Sequence, residues 1–177
     1  MPRSFPISRV YQLLEPGPVV LLTTSLRGRH NVMAMSWHMM MEFEPPLVGC
    51  IVSGRHLSFE TLRRSRECVL AIPEAHLGRQ VAAIGNCSGR ATDKFAAFGL
   101  TSLPARHVAA PLIAECFANL ECRIADTRWV DRYNMFVLEV VHAWREPGVR
   151  APRTLHHEGY GRCAVAGERI RLASRAR

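Results

Sequence analysis

A chain of 177 residues with 48% hydrophobic and 21% charged residues can build one packed core and is not a disordered sequence. Its net charge of +8 is spread along the chain without basic-aromatic interleaving, and aromatics make up only 7%, which argues against a nucleic-acid partner and for an anionic small molecule. The longest apolar run, near Val19, is too short to span a bilayer, and the N-terminus lacks an apolar core of signal-peptide length, so a cytoplasmic protein is expected.

The chain opens with a lead-in in which Val10, Leu13 and Leu14 fall at helical spacing, ended by Gly17-Pro18. PVVLLTTSL is a β-branched strand, and RGRHN supplies the glycine-centred turn of a hairpin. From Asn31 to Met41 the alternation is apolar on both faces, which predicts one continuous strand covered on two sides. Five of the seven methionines lie between Met33 and Met41, a composition suited to flat aromatic surfaces or a subunit seam. Pro45-Pro46 stops this strand, LVGCIV makes a short buried one, and GRHLSFETL turns into a helix whose serine-bearing entrance, preceded by arginine and histidine, can seat a phosphate.

ECVLAI predicts another buried strand, and Glu74 to Ile84 a helix with Leu77, Val81 and Ile84 on one side. NCSGRATDKFAAFGL reads as a polar loop, a capping Asp93, a brief helix and a terminating Gly99. Residues 103–115 are irregular. From Cys116 the alternation returns, with Phe117, Asn119, Glu121, Arg123 and Ala125 predicted to form the wetter side of a strand. WVDRYN is a turn and MFVLEVVHAW a long strand. The whole is expected to be a single domain, 1–177, with a Gly-, Pro- and Arg-rich tail from about residue 146 wrapping the body and about seven frayed residues at the end.

About six strands with hairpin-like connections and few helices predict a mainly β fold with some α, an antiparallel barrel plugged by short helices. No GxGxxG fingerprint is present, which argues against a Rossmann domain. The six cysteines form no CxxC pair and the histidines show no ligand spacing, so neither a disulfide framework nor a metal site is expected.

Taken singly, the polar residues of these segments have ordinary readings. Trp37 is a core aromatic, Ser58 a helix cap, Arg55 and Lys94 solvated charges, Asn31 a turn residue and His38 a partly buried structural histidine. Their order is more specific. The T-T strand, the glycine turn, Asn31 to Ser36-Trp37, the E-P-P-L turn, SGRHLS, then SGRATDKF and APLIAECFANLECRI resemble the flavin reductase-like family across roughly residues 10–170, closest to its flavoredoxin-type branch. GYGRCAVAGERI matches more weakly.

That resemblance implies a Greek-key FMN-binding split barrel and a homodimer holding FMN, or FAD, at its seam. It implies reduction by NADH or NADPH, with reducing equivalents passed to free flavin, a partner oxygenase or another electron acceptor. The cofactor residues it implies are Asn31, Met35, Ser36, Trp37, His38, Ser53, Arg55, Ser58, Ser88, Lys94 and Tyr133. Tyr133 stands where flavoredoxin-type proteins tend to carry a histidine, and Cys163 where they commonly place an aromatic. No side chain is expected to act as acid, base or nucleophile, because the cofactor would supply the chemistry. The alternatives are a non-enzymatic FMN carrier or electron-transfer protein, a basic binding protein on the same barrel without cofactor, and a pyridoxamine-phosphate oxidase-like activity.

Overall fold

A computed structural model describes residues 3–10 and 17–173. Leu13 and Leu14 of the lead-in, and the last four residues of the tail, lie outside them; Val10 is fully buried in the core.

The strands are β1 (Arg3–Phe5), β2 (Val20–Leu26), β3 (Arg29–Met35), β4 (His38–Phe43), β5 (Pro46–Ile51), β6 (Glu67–Ile72), β7 (Ser102–Leu103), β8 (Leu112–Ile113), β9 (Ala118–Asp126), β10 (Met135–Arg145), β11 (Leu155–Gly159) and β12 (Arg162–Val165). Among them lie helices α1 (Leu57–Ser65), α2 (Gly78–Gly85), α3 (Lys94–Ala97) and α4 (Val130–Tyr133). The main sheet runs β3-β2-β6-β9-β10-β5-β4 with every pairing antiparallel, and β1 lies along the far end of β10. The β2–β3 hairpin turns through Arg27 and Gly28, at φ 53° and 78°, the left-handed pair that matches the twist of the flanking strands.

The predicted single strand from Asn31 to Met41 is two strands. The chain breaks at Ser36-Trp37, and β3 and β4 occupy opposite edges of the sheet. Joining two opposite edges by so short a link requires the sheet to curl into a barrel. The period-two apolar pattern runs through the break without interruption, so alternation alone does not reveal it. At the link, Trp37 O accepts from Ile51 N at 3.0 Å, which holds the start of β4 on β5.

Alternation decides the two sides of the sheet. Leu22, Leu70, Leu120, Leu138 and Phe136 meet inside the barrel, where all are fully buried. Leu21, Val69 and Ala71 point outward and are covered by Val81 and Ile84 of α2, by Leu100 and Val108, and by Ile113 of β8. Each buried Leu, Val, Ile or Phe among them contributes roughly 1.5–3 kcal/mol by leaving water. Thr23 Oγ1 donates to Pro111 O at 2.7 Å and pins that segment to the sheet.

The predicted wetter side of the Cys116 strand holds at Arg123 and Ala125, which are exposed, and fails at Phe117, Asn119 and Glu121, which are buried. Asn119 and Glu121 are 1% and 0% exposed. Glu121 accepts from Arg106 N at 2.9 Å, from His107 N and from Trp144 Nε1 at 2.7 Å, while Asn119 bonds both N and O of Ile113. Buried polar groups are retained here because each finds partners on the covering segment.

Beyond β10, Val19 N donates to Leu155 O at 2.7 Å and Ala75 N to Arg153 O at 2.7 Å, so the tail lies against the body at both places. One face stays uncovered. Along β4, Met39, Met41 and Phe43 are 53%, 45% and 52% exposed, next to Trp37 at 68%. No helix among the described residues is long and apolar enough to cross a membrane.

Candidate functional site

Three segments converge beside β3. The first is the SGRH turn, where His56 N donates to Ser53 O at 3.0 Å before α1 begins. No side chain caps α1; Phe59 N donates to His56 O at 3.2 Å, which leaves the N–H groups of Leu57 and Ser58 for an anion. The second is Asn31, whose Nδ2 donates to the buried Ser58 Oγ at 2.8 Å. The third is the loop after α2, which carries Cys87, Ser88 and Gly89.

That loop is clamped from two sides. Arg29 Nη2 donates to Gly89 O at 3.0 Å, and Arg90 pairs with Glu60 of α1 at 3.3 Å. Gly89 is required by space rather than by backbone angle. A Cβ there would overlap Asn31 Oδ1 and stand 3.3 Å from Leu57 Cδ2. Downstream, the Asp93 carboxylate accepts from Phe95 N and Ala96 N and caps α3 as predicted. The cap sets Lys94 at the start of α3, where it is 5% exposed and its Nζ donates to Ile84 O at 2.8 Å. Burial pulls the Lys94 pKa down from the ordinary lysine value, and the nearby Cys87 opposes this.

These residues enclose a cavity of about 260 Å3 that brings together Asn31, Arg55, Ser58, Ser88 and Lys94. It shares Ala34, Gly85 and Asn86 with a cavity of about 510 Å3, whose wall includes Met35, Ser36, Val81, His157 and Cys163. The two form one groove with a cationic, hydroxyl-bearing end and a larger, more apolar end. Among the described residues no carboxylate lines either part.

Four predicted site residues are not in this groove. Trp37 sits on the exposed link between β3 and β4. His38 donates from Nε2 to Pro18 O at 2.7 Å and lines a separate cavity with Met39, Met41 and Phe43. Ser53 Oγ accepts from Arg55 N at 3.4 Å within the turn. Tyr133 packs against Trp129 on α4 with ring centroids 5.8 Å apart and is 48% exposed. In the other direction, Asn86, Cys87, Gly89 and His157 shape the groove without having been singled out from the sequence. The Ser-Gly pair at 88–89 was the available signal for a close approach of backbone.

No group of three or more His, Cys, Asp or Glu among the described residues is arranged to hold a metal ion. Cys50, Cys68, Cys116 and Cys122 are buried free thiols, and burial raises the pKa of Cys50 and Cys116.

A family profile described as "flavin reductase like domain" matches residues 13–164. The uncharacterized protein YddH of Escherichia coli (strain K12) is 32% identical, with 96% of this chain and 98% of that protein covered. The crystal structure of an FMN-binding domain of a flavin reductases-like enzyme from Shewanella baltica OS155 superposes with a TM-score of 0.91 at 24% identity, covering 98% of both chains. Flavoredoxin of Desulfovibrio vulgaris (Miyazaki F) gives 0.82 at 23% identity, covering 90% of this chain and 92% of that one. The curled antiparallel sheet is the split-barrel fold of these proteins.

Proposed function

The chain belongs to the flavin reductase-like family, and from that premise we propose that it binds FMN in this groove and acts as an oxidoreductase. In this reading NADH or NADPH is the reductant, and free flavin, a partner oxygenase or another electron acceptor is the oxidant. The observation that carries it is the small end of the groove. An uncapped helix start, two hydroxyls, an exposed arginine and a buried lysine face a cavity free of carboxylates. That donor set fits a phosphate monoester, which takes N–H groups, hydroxyls and cations.

The larger end fits a flat ring system. Met35, Ala34, Val81 and Leu155 supply an apolar surface, and Ser36, Asn86 and His157 stand on the same wall as polar partners for a heteroatom edge. When bound there, the isoalloxazine supplies the acceptance and release of hydride or electrons. The side chains then have holding roles. Asn31 fixes the Ser58 hydroxyl toward the phosphate, Lys94 and Arg55 balance its charge, and Gly89 keeps the loop close to β3. We assign no residue as acid, base or nucleophile. The apolar strip on β4 supports a homodimer, since a second copy would remove Trp37, Met39 and Phe43 from water.

The test is the visible spectrum of the purified protein after incubation with FMN and removal of unbound flavin by gel filtration, followed by anaerobic addition of NADH and NADPH. A flavin band that appears and is then bleached is the expected result. Bleaching by neither nucleotide makes the protein a flavin carrier, and no flavin band at all overturns the proposal.

A further inference from the structure

Strand β5 carries Gly49 between β4 and β10, with Met39 as its direct partner on one side and Val137 on the other. The β4–β5 ladder slips between Met40 and Glu42, so Met41 is an extra residue on β4, and such a bulge re-aims its side chain. Met135 stands two residues along β10 from Val137, opposite Ile51. A Cβ at Gly49 would stand 2.9 Å from Met41 Sδ, 2.9 Å from Met135 Cε and 3.3 Å from Met39 Cε. The ends of three methionines from two strands thus close on one point, in the room left by an absent side chain.

Met39 and Met41 are half-exposed and line the cavity of about 510 Å3 beside β4, so two of the three are reached by solvent. Glu42 is the one carboxylate on that cavity, and its Oε1 accepts from Phe43 N at 2.7 Å. His38 lines the cavity too, but its Nε2 is given to Pro18 O and its Nδ1 is buried, so it is not counted as a ligand.

Converging thioethers suit one class of solute. Their sulfur is neutral, polarizable and a weak hydrogen-bond acceptor, which offers little to a phosphate, a hard cation or a polar organic group. Zinc takes thiolate, imidazole and carboxylate, whereas thioether sulfur favours a soft monovalent ion. We propose that Met39, Met41 and Met135 form a Cu(I) site over Gly49. The site is independent of the flavin reading. It lies on the strip given above to a second copy of the chain, so its test uses substitutions that keep the strip apolar.

The experiment is a titration of the full-length protein, labelled with 13C in its methionine methyl groups, with silver nitrate as an air-stable stand-in for Cu(I). Cys87 and Cys163, the thiols that are not buried, are first capped with N-ethylmaleimide, because thiolates take the same ions. Three methionine resonances should shift together and saturate at one Ag(I) per chain. Each of Met39→Leu, Met41→Leu and Met135→Leu should delete one of those three resonances and weaken Ag(I) binding by about tenfold or more. Leucine preserves volume and apolar area, so the variants should keep the parent's thermal midpoint and association state. Anaerobic competition of the capped protein with bicinchoninate should give the same stoichiometry for Cu(I), and Zn(II) should move none of the three resonances. Resonances that stay in place at one equivalent of Ag(I) overturn the inference. So does a shift confined to other methionines, a response to Zn(II), or a triple leucine variant that retains the parent's affinity.

Discussion

Asn31 Nδ2 reaches across to Ser58 Oγ at 2.8 Å, and this bond ties the middle of β3 to the first turn of α1 inside the groove. Both residues are buried, at 6% and 1% exposure. The bond leaves Asn31 Oδ1 pointing at Gly89, so three segments meet around one amide.

Gly89→Ala is therefore expected to disturb the groove. Its Cβ would overlap Asn31 Oδ1, and the loop must move or the Asn31–Ser58 bond must break. FMN affinity should fall by about tenfold or more, the worth of one charge-assisted hydrogen bond, while far-ultraviolet circular dichroism stays that of the parent. Unchanged FMN affinity in a folded variant would remove Gly89 from the account.

Lys94→Met separates the phosphate from the ring. Loss of a charged hydrogen bond costs roughly 1.5–3 kcal/mol, about ten- to a hundredfold in affinity. The effect should fall on FMN and leave riboflavin nearly unchanged, and the parent's preference for FMN should weaken with salt. Equal affinity for FMN and riboflavin in the parent would show that the phosphate does not bind here.

His38 predicts a pH dependence of stability. Its Nε2–H is given to Pro18 O, its Nδ1 is buried without a partner, and burial lowers its pKa below the ordinary 6.5. The folded chain thus resists the second proton. Stability is full above the unfolded value of 6.5 and declines as pH falls through it to the lower folded value. The urea midpoint should drop on going from about pH 7.5 to about pH 5, and His38→Gln should drop less. Equal losses in parent and variant would assign the effect to other groups, of which His142, lowered mainly by burial, is the first to examine.

The β4 strip predicts an association state. Met39 and Met41 are half-exposed on an edge strand beside Trp37 and Phe43. The parent should sediment as a dimer at micromolar concentration, and Met39→Glu/Met41→Glu should give a folded monomer, because burying two carboxylates in an apolar seam is costly. A monomeric parent would count against the seam.

Much of this was legible from local pattern. The β2–β3 hairpin follows from Arg27-Gly28, the α3 cap from Asp93, and the meeting of Arg55, Ser58, Ser88 and Lys94 in one cavity from two serine-bearing turns whose order resembles a family. What was not legible depends on partners far away in the chain. Glu121 is as polar as any exposed strand residue until Trp144, Arg106 and His107 fold over it. The break at Ser36-Trp37 was hidden because apolar alternation describes β3 and β4 equally well, although both are edge strands and only β3 is covered by helices, while β4 keeps Met39, Met41 and Phe43 exposed.

That break also constrains the order of assembly. The β2–β3 and β4–β5 hairpins are neighbours along the chain and pair locally, so each can close on the microsecond scale of an isolated hairpin, roughly 1–10 μs. In the finished sheet they are separated by β6, β9 and β10, which come from residues 67–145. β6 and the β9–β10 hairpin must enter between two hairpins that are already tethered at Ser36-Trp37, and each of those two entries closes a long loop. The folding barrier accordingly lies in insertion of the central strands. Substitutions at the β6–β9 contact, such as Leu70 against Leu120, should slow folding, whereas changes in either hairpin should act mainly on the unfolding rate.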